Sequence, residues 1–334
     1  MRKCSSPAGI VALVAMIGAA GCSQIGALKG KLAFKEANTL YKAENYEAAA
    51  RKYQETLEKG CTGDVCNPQE LTYAYFFLAS SYDNLFRPVR KGDPKNDAYL
   101  TKAIEFYETA AQKIPDPEYK KRSLQYMAVA YGAEKLNDPA KAEPIIKRLI
   151  EMDPNDPQNY YQMSKLYEEA GDFEQAEAQL LKAKEVKPND PEVYGQLARY
   201  YESRGNFEKQ IAAMQTRAEK QPGSPEGHYS MAVVYWRRAC VPVAKLCEPF
   251  AGPVNQRAKY VAAGLDESEK ALALRDDYID ALAYKNLLLR SKAYLEPARA
   301  QELIKEADDL IQRIGEIRKR RAEAPAAATK PGAE

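Results

Sequence analysis

Apolar positions recur along this chain at the spacing of an α-helix rather than a strand. Between residues 156 and 188, Tyr160, Met163, Ser164 and Tyr167 fall at i, i+3, i+4 and i+7, which predicts a first helix with one packed face. Gly171-Asp172 predicts a tight turn. Phe173, Ala176, Leu180 and Ala183 then predict a second helix, whose small residues let the two backbones approach closely, and Pro188 ends it by lacking an N–H. The next stretch repeats the scheme with Tyr194, Leu197, Ala198, Tyr201, Gly205-Asn206, Phe207, Met214 and Pro222, with Gln210 and Arg217 standing where the first copy has small residues.

Pro154, Pro188 and Pro222 succeed one another at 34 residues, a fixed period that predicts a repeat architecture. Weaker copies extend it. Upstream, Ala37, Leu40, Tyr41, Asn45-Tyr46, Ala49, Tyr53 and Leu57 mark one unit, and Leu78, Ala79, Tyr82, Ala103, Tyr107, Ala110 and Pro115 a second, interrupted by an insertion near residues 86–96. Tyr126, Ala128, Tyr131, Ala142, Ile146, Leu149 and Pro154 mark a third. Downstream, Met231, Ala232 and Tyr235 open a unit that resumes around residues 260–275 after an insertion near 239–257, and residues 278–321 read as a capping pair. The array therefore spans residues 31–321. Residues 322–334 hold no large apolar side chain and read as a disordered tail.

Two copies in register, with their Tyr, Gly, small-residue and Pro positions, closely resemble the tetratricopeptide repeat. That resemblance implies an all-α, right-handed superhelical solenoid of about six to seven helix pairs with a C-terminal capping helix. It also implies a concave groove lined by the first helices. The family's inward-facing pattern selects Phe34, Tyr41, Tyr73, Phe76, Tyr161, Lys165, Arg199, Tyr229, Trp236 and Arg237 as the partner-binding set. Aromatics with arginine suit protein recognition. Packing against a neighbouring repeat competes with that reading, and it is preferred for Tyr131, Tyr167, Tyr201 and Tyr235. The carboxylate clamp of some family members is disfavoured, because Phe34 and Phe77 occupy two of its places and only Asn38 matches.

The N-terminus carries a different signal. Met1-Arg2-Lys3 followed by an apolar run from Ile10 to Ala20 is too short for a membrane span and reads as a signal peptide, residues 1–21. Ala19-Ala20-Gly21-Cys22 resembles the lipobox of bacterial lipoproteins, with Ala19 where the family usually has Leu, and implies a covalent lipid on Cys22. Ordinary secretion after Gly18-Ala19-Ala20 is the alternative, which would leave a secreted or periplasmic protein. Residues 22–30 then form a tether whose segment from Ser23 to Gly30 reaches about 26 Å at most. Ser23, in place of a retention aspartate, points to the outer membrane, facing the periplasm.

Of the six cysteines, Cys61 with Cys66 and Cys240 with Cys247 form close pairs in loop segments, which an oxidising compartment would let close into disulfides. Zinc is the competing reading, weakened by the absence of C-x-x-C spacing and by a single histidine, His228. His228 reads as a packing residue, since no acid or nucleophile is placed beside it by spacing. The run from Arg318 to Arg321 reads as cations at a helix C-terminus, with anionic lipid or murein as the alternative. The chain carries 49 basic and 47 acidic residues, so nothing advertises a nucleic-acid surface. Nucleophile-elbow, phosphate-loop and metalloprotease motifs are missing from the sequence, which argues against an enzyme and against any cofactor beyond the lipid. The function expected is a membrane-anchored scaffold for envelope proteins, by analogy with pilotins that serve pilus secretins or with the lipoprotein of the outer-membrane assembly machine. An accessory factor for murein-modifying enzymes, a glycan-binding protein, and self-assembly through the ends of the array are the alternatives.

Overall fold

Residues 8–62, 65–239 and 253–323 are described in a computed structural model of the chain. The chain divides into two units, Met1–Val186 and Lys187–Glu334. In the first, α1 (Ala8–Lys42) pairs with α2 (Tyr46–Gly60), α3 (Tyr73–Leu85) with α4 (Pro94–Lys113), α5 (Pro117–Tyr131) with α6 (Pro139–Met152), and α7 (Pro157–Ala170) with α8 (Phe173–Val186). In the second, α9 (Pro191–Ser203) pairs with α10 (Phe207–Lys220), α11 (Pro225–Ala239) with α12 (Val254–Leu274), and α13 (Ile279–Leu295) with α14 (Ala300–Glu323). Within each unit every helix packs on the next along the chain.

A common turn closes four of these pairs. A residue in the left-handed region follows the first helix: Glu44 (φ 58°), Asn137 (φ 55°), Gly171 (φ 79°) and Gly205 (φ 65°). The next residue, Asn45, Asp138, Asp172 or Asn206, caps the second helix by accepting the N–H three residues on. At the start of several first helices Asp116, Asp156 and Asp190 accept the N–H two residues on, followed by Pro117, Pro157 and Pro191, whose missing N–H is not needed there. The periodic prolines also gain a role. The Tyr160 hydroxyl donates to the Pro154 carbonyl at 3.0 Å, and Tyr194 donates to Pro188 at 2.8 Å, so each tyrosine fastens the turn that precedes its helix.

Small or compact side chains fill the inward position on both helices of a pair: Ala37 and Ala49, Ala79 and Ala103, Ala128 and Ala142, Ser164 and Ala176, all buried in the first unit. Ala198 with Gln210, and Ala232 with Ser268, stand at the same places in the second. Around them Tyr53, Leu71, Leu78, Leu100, Tyr107, Ile114 and Leu149 fill the core of the first unit, and Met231, Leu282, Leu288, Leu303 and Ile317 that of the second. Among the described residues the only sheet is a two-stranded antiparallel pairing of Cys61–Thr62 with Val65–Cys66, closed by a disulfide between Cys61 and Cys66.

Four expected boundaries shift. The segment from Ile25 to Gly30 is not a free tether but part of α1, because Gly30 is buried against Gly60, where an added Cβ would meet the Gly60 Cα at 2.7 Å. The first insertion is shorter than 86–96: Asp93 caps α4, and Pro94 to Asn96 form its first turn, with the buried Asn96 amide donating to the carbonyls of Arg87 and Arg90. In the second insertion Ala239 still belongs to α11, and α12 begins at Val254. Ala322 and Glu323, expected in the tail, end α14. The pair Cys240 and Cys247, the rest of the tail, and the side chains of the signal segment through Cys22 lie outside the described residues.

The end of α14 is tied down by arginine. Arg321 donates to the Asp277 carbonyl at 3.0 Å and carboxylate at 2.8 Å, and Arg313 donates to the Asp276 carbonyl at 2.7 Å. Arg321 holds the Asp277 carboxyl below its usual range. A group whose pKa is depressed on folding adds stability above its unfolded pKa and loses it as pH falls through the folded one. Amide protection in the last turns of α14, taken relative to the intrinsic exchange rate at each pH, should therefore fall below the ordinary carboxylate range, and Asp277→Asn should remove that pH dependence. In the turns, Gly171→Ala should destabilise the first unit by about 1 kcal/mol, and Glu44→Gly should stabilise it by up to about 1 kcal/mol, as read by thermal unfolding. Equal effects of both substitutions would refute the turn assignment.

Candidate partner-binding site

In the second unit, α11 and the start of α13 assemble an aromatic row. Tyr229 and Trp236 lie seven residues apart on α11, hence on one helix face. Tyr284 of α13 meets both, 5.4 Å from Trp236 edge to face and 5.7 Å from Tyr229. Tyr278, the residue before α13, approaches Tyr229 at 5.2 Å, and the Arg275 guanidinium covers the Tyr278 ring at 3.7 Å while donating to Glu226 at 3.0 Å. All four rings are partly exposed. Burial pushes the hydroxyls of Tyr229 and Tyr278 above the ordinary phenol range, so both remain neutral donors at physiological pH. The row presents flat apolar surface, hydroxyl donors and one stacked cation, a combination suited to a peptide segment. Arg199 and Arg237, expected in the same groove, are exposed but engaged with Glu192 at 2.8 Å and Glu202 at 3.1 Å.

The set in the first unit behaves differently. Phe34 packs edge-on to the fully buried Tyr53 at 6.0 Å, Tyr41 shares a 2.7 Å hydrogen bond with Ser80 and meets Phe77 at 5.6 Å, and Tyr73 donates to Asp116 at 3.2 Å. These side chains are half-buried. Phe76 and Tyr161 are only 6% and 8% exposed, so neither is available to a partner in this state. Phe76 sits among Phe77, Tyr107, Tyr119 and Tyr126, a cluster in which aromatic edges find aromatic faces. Lys165 is exposed between Glu134 and Glu169, on the rim of a cleft floored by Ala128, Ile146 and Leu166. Of the tyrosines expected to pack on a neighbouring repeat, Tyr167 donates its hydroxyl to Glu143 of α6 and Tyr235 meets Phe207 of α10, whereas Tyr131 lies under Lys141 and Tyr201 under Lys209 of their own pairs.

His228 does have an acid beside it. Its Nδ1 lies 2.7 Å from the carboxylate of Glu267, which is 8% exposed and also accepts from Lys270 at 2.8 Å. The partner comes from α12, 39 residues along and beyond the insertion, so no local spacing could reveal it. His228 also occupies the register position of Tyr160 and Tyr194, each 34 residues apart, where those side chains fasten a turn. Among the described residues no group of three His, Cys, Asp or Glu side chains could hold a metal ion, and no helix is long and apolar enough to cross a membrane. Glu267→Ala leaves His228 and Lys270 without their shared acceptor and should cost about 1–3 kcal/mol. Asp266→Ala, on the exposed side of Lys270, should cost well under half as much. Comparable melting temperatures for the two variants would deny Glu267 its part in the core.

Comparison with known proteins agrees with this architecture. Residues 133–200 match the tetratricopeptide repeat family. No curated protein sequence matches the chain. Among solved structures, the C-terminal part of a tetratricopeptide repeat-containing protein from Cytophaga hutchinsonii superposes with a TM-score of 0.54 at 18% identity, covering 85% of this chain and 95% of its own. A structure of MamA gives 0.41 at 16% identity over 63% of this chain and 98% of its own. YrrB, described as a tetratricopeptide protein with an unusual peptide-binding site, gives 0.38 at 18% identity over 57% of this chain and 85% of its own. Residues 133–200 thus carry sequence similar to the tetratricopeptide repeat, and helix pairs of the same kind continue on either side of them.

Proposed function

We propose that this chain is a lipid-anchored scaffold of a bacterial cell envelope that holds a peptide segment of a partner protein on the aromatic row of Trp236, Tyr284, Tyr229 and Tyr278. The row carries the proposal. Solenoids of helix pairs offer extended binding surfaces, and binding energy concentrates in aromatic and arginine anchors. All four rings are held by neighbouring rings before any partner arrives, so little side-chain entropy is lost on binding. Phe34, Tyr41 and Tyr73 supply a second, half-covered aromatic face in the first unit. The envelope location draws support from the signal segment, from the lipobox-like residues Ala19 to Cys22, and from the Cys61–Cys66 disulfide, which persists in oxidising compartments. The outer membrane, with the chain facing the periplasm, is the favoured site because Ser23 follows Cys22.

Crosslinking of the tagged full chain in cells, followed by mass spectrometry, tests the proposal directly. A constant set of envelope proteins should be retained by the wild type and depleted roughly tenfold or more by Trp236→Ala/Tyr229→Ala. Retention unchanged by the double substitution would place binding elsewhere. Capture of murein fragments alone would convert the scaffold into a glycan-binding protein.

A further inference from the structure

Among the described side chains of α1, from Ile25 on, the outward face is apolar only at the end nearest Cys22. Ile25, Leu28 and Leu32 are 57%, 60% and 61% exposed, and they fall at i, i+3 and i+7, one stripe of the helix. The opposite face holds the stripe outward. An added Cβ on Gly26 would meet the Lys59 carbonyl at 2.8 Å, and one on Gly30 the Gly60 Cα at 2.7 Å, so α1 is seated closely on the end of α2. Exposed Lys29, Lys31 and Lys35 flank the stripe, with Lys31 paired to Glu70 at 3.6 Å.

The stripe stops abruptly. Past Leu32 the same face carries Lys35, Glu36 and Thr39, all exposed, and Glu36 is paired to Lys52 at 2.8 Å. The apolar part therefore spans about 10 Å of a longer helix. A preceding helix pair or a second copy would need an apolar face along the length of α1, and three side chains fall well short of the roughly 800 Å² per partner of a stable protein interface. A short apolar stripe edged by lysines is instead the pattern of a helix lying in a membrane surface, with ammonium groups at the headgroups. Ile25 is three residues from Cys22, a separation of at most about 11 Å. Resting on the reading that Cys22 carries lipid, we propose that Ile25, Leu28 and Leu32 lie in the surface of the bilayer that holds that lipid, so that the first helix pair is docked on the membrane rather than hung from it.

The test places photoreactive benzoylphenylalanine at Leu28, Leu32 or Lys31 of the lipidated full chain in vesicles of phosphatidylethanolamine and phosphatidylglycerol. These positions are exposed, so the probe displaces no core contact. Acyl-chain adducts should form at positions 28 and 32, with loss of most of that labelling at 31. Adducts to a second copy, equal labelling at all three positions, or no acyl adduct would overturn the docking. The intact mass of the protein separates the two readings. Without lipid on Cys22 the anchoring itself fails and docking fails with it, whereas a lipidated Cys22 with no acyl adduct at 28 or 32 removes only the docked face.

Discussion

Two helices approach closely where neither carries bulk at the point of crossing, and most helix pairs of this chain place alanine or serine there on both helices. The crossing stays buried while the chain between its halves varies. Ala37 and Ala49, Ser164 and Ala176, and Ala198 and Gln210 stand twelve residues apart, whereas Ala79 and Ala103 stand twenty-four apart and Ala232 and Ser268 thirty-six. In the last pair the buried Asn286 donates its amide to the Ala307 carbonyl, so a hydrogen bond serves where small size does elsewhere. Burying an amide is tolerated there because it has a partner.

Close crossing on one side of a helix leaves the large side chains to the other sides, and the two units use them differently. In the first unit, rings gather into a network deep enough to bury Tyr53 and Tyr107 fully, and their hydroxyls are pushed above the ordinary range mainly by that burial. Here aromatics serve mainly cohesion. In the second unit, Trp236, Tyr284, Tyr229 and Tyr278 remain partly open, set edge to face or tilted in a row with a cation at one end. The same residue class thus supplies core in one place and surface in the other, and solvent exposure decides which.

Periodicity made the pairs legible in the sequence, because Tyr160 and Tyr194 fasten the carbonyls of prolines that recur at the same interval. Turn chemistry was legible for Gly171 and Gly205 but less so for Glu44, whose left-handed backbone contradicts its side-chain preference and is imposed by the helices on either side. The amphipathic pattern told which positions could face a groove without telling how deep neighbouring rings would cover them, which is why Phe76 and Tyr161 proved buried. The segment at Ile25 to Gly30 read as a tether because it lies between Cys22 and the first repeat, and its glycines are what allow α1 to sit on α2. The meeting of His228 with Glu267 depends on how two helices align across an insertion, information that no local window contains.

The buried crossing, rather than the turn before it, separates the length of a connection from the geometry it joins. Between α3 and α4 the chain adds a 3-10 turn, anchored by Asn96, and the pair still buries Ala79 and Ala103. The stretch between Ala239 and Pro253 is longer again, yet Ala232 and Ser268 stay buried. Such joints let a lineage gain or lose whole segments without re-solving the interior. Divergence among descendants of this chain should accumulate first as differences in the length of these connections, while the buried alanines stay put.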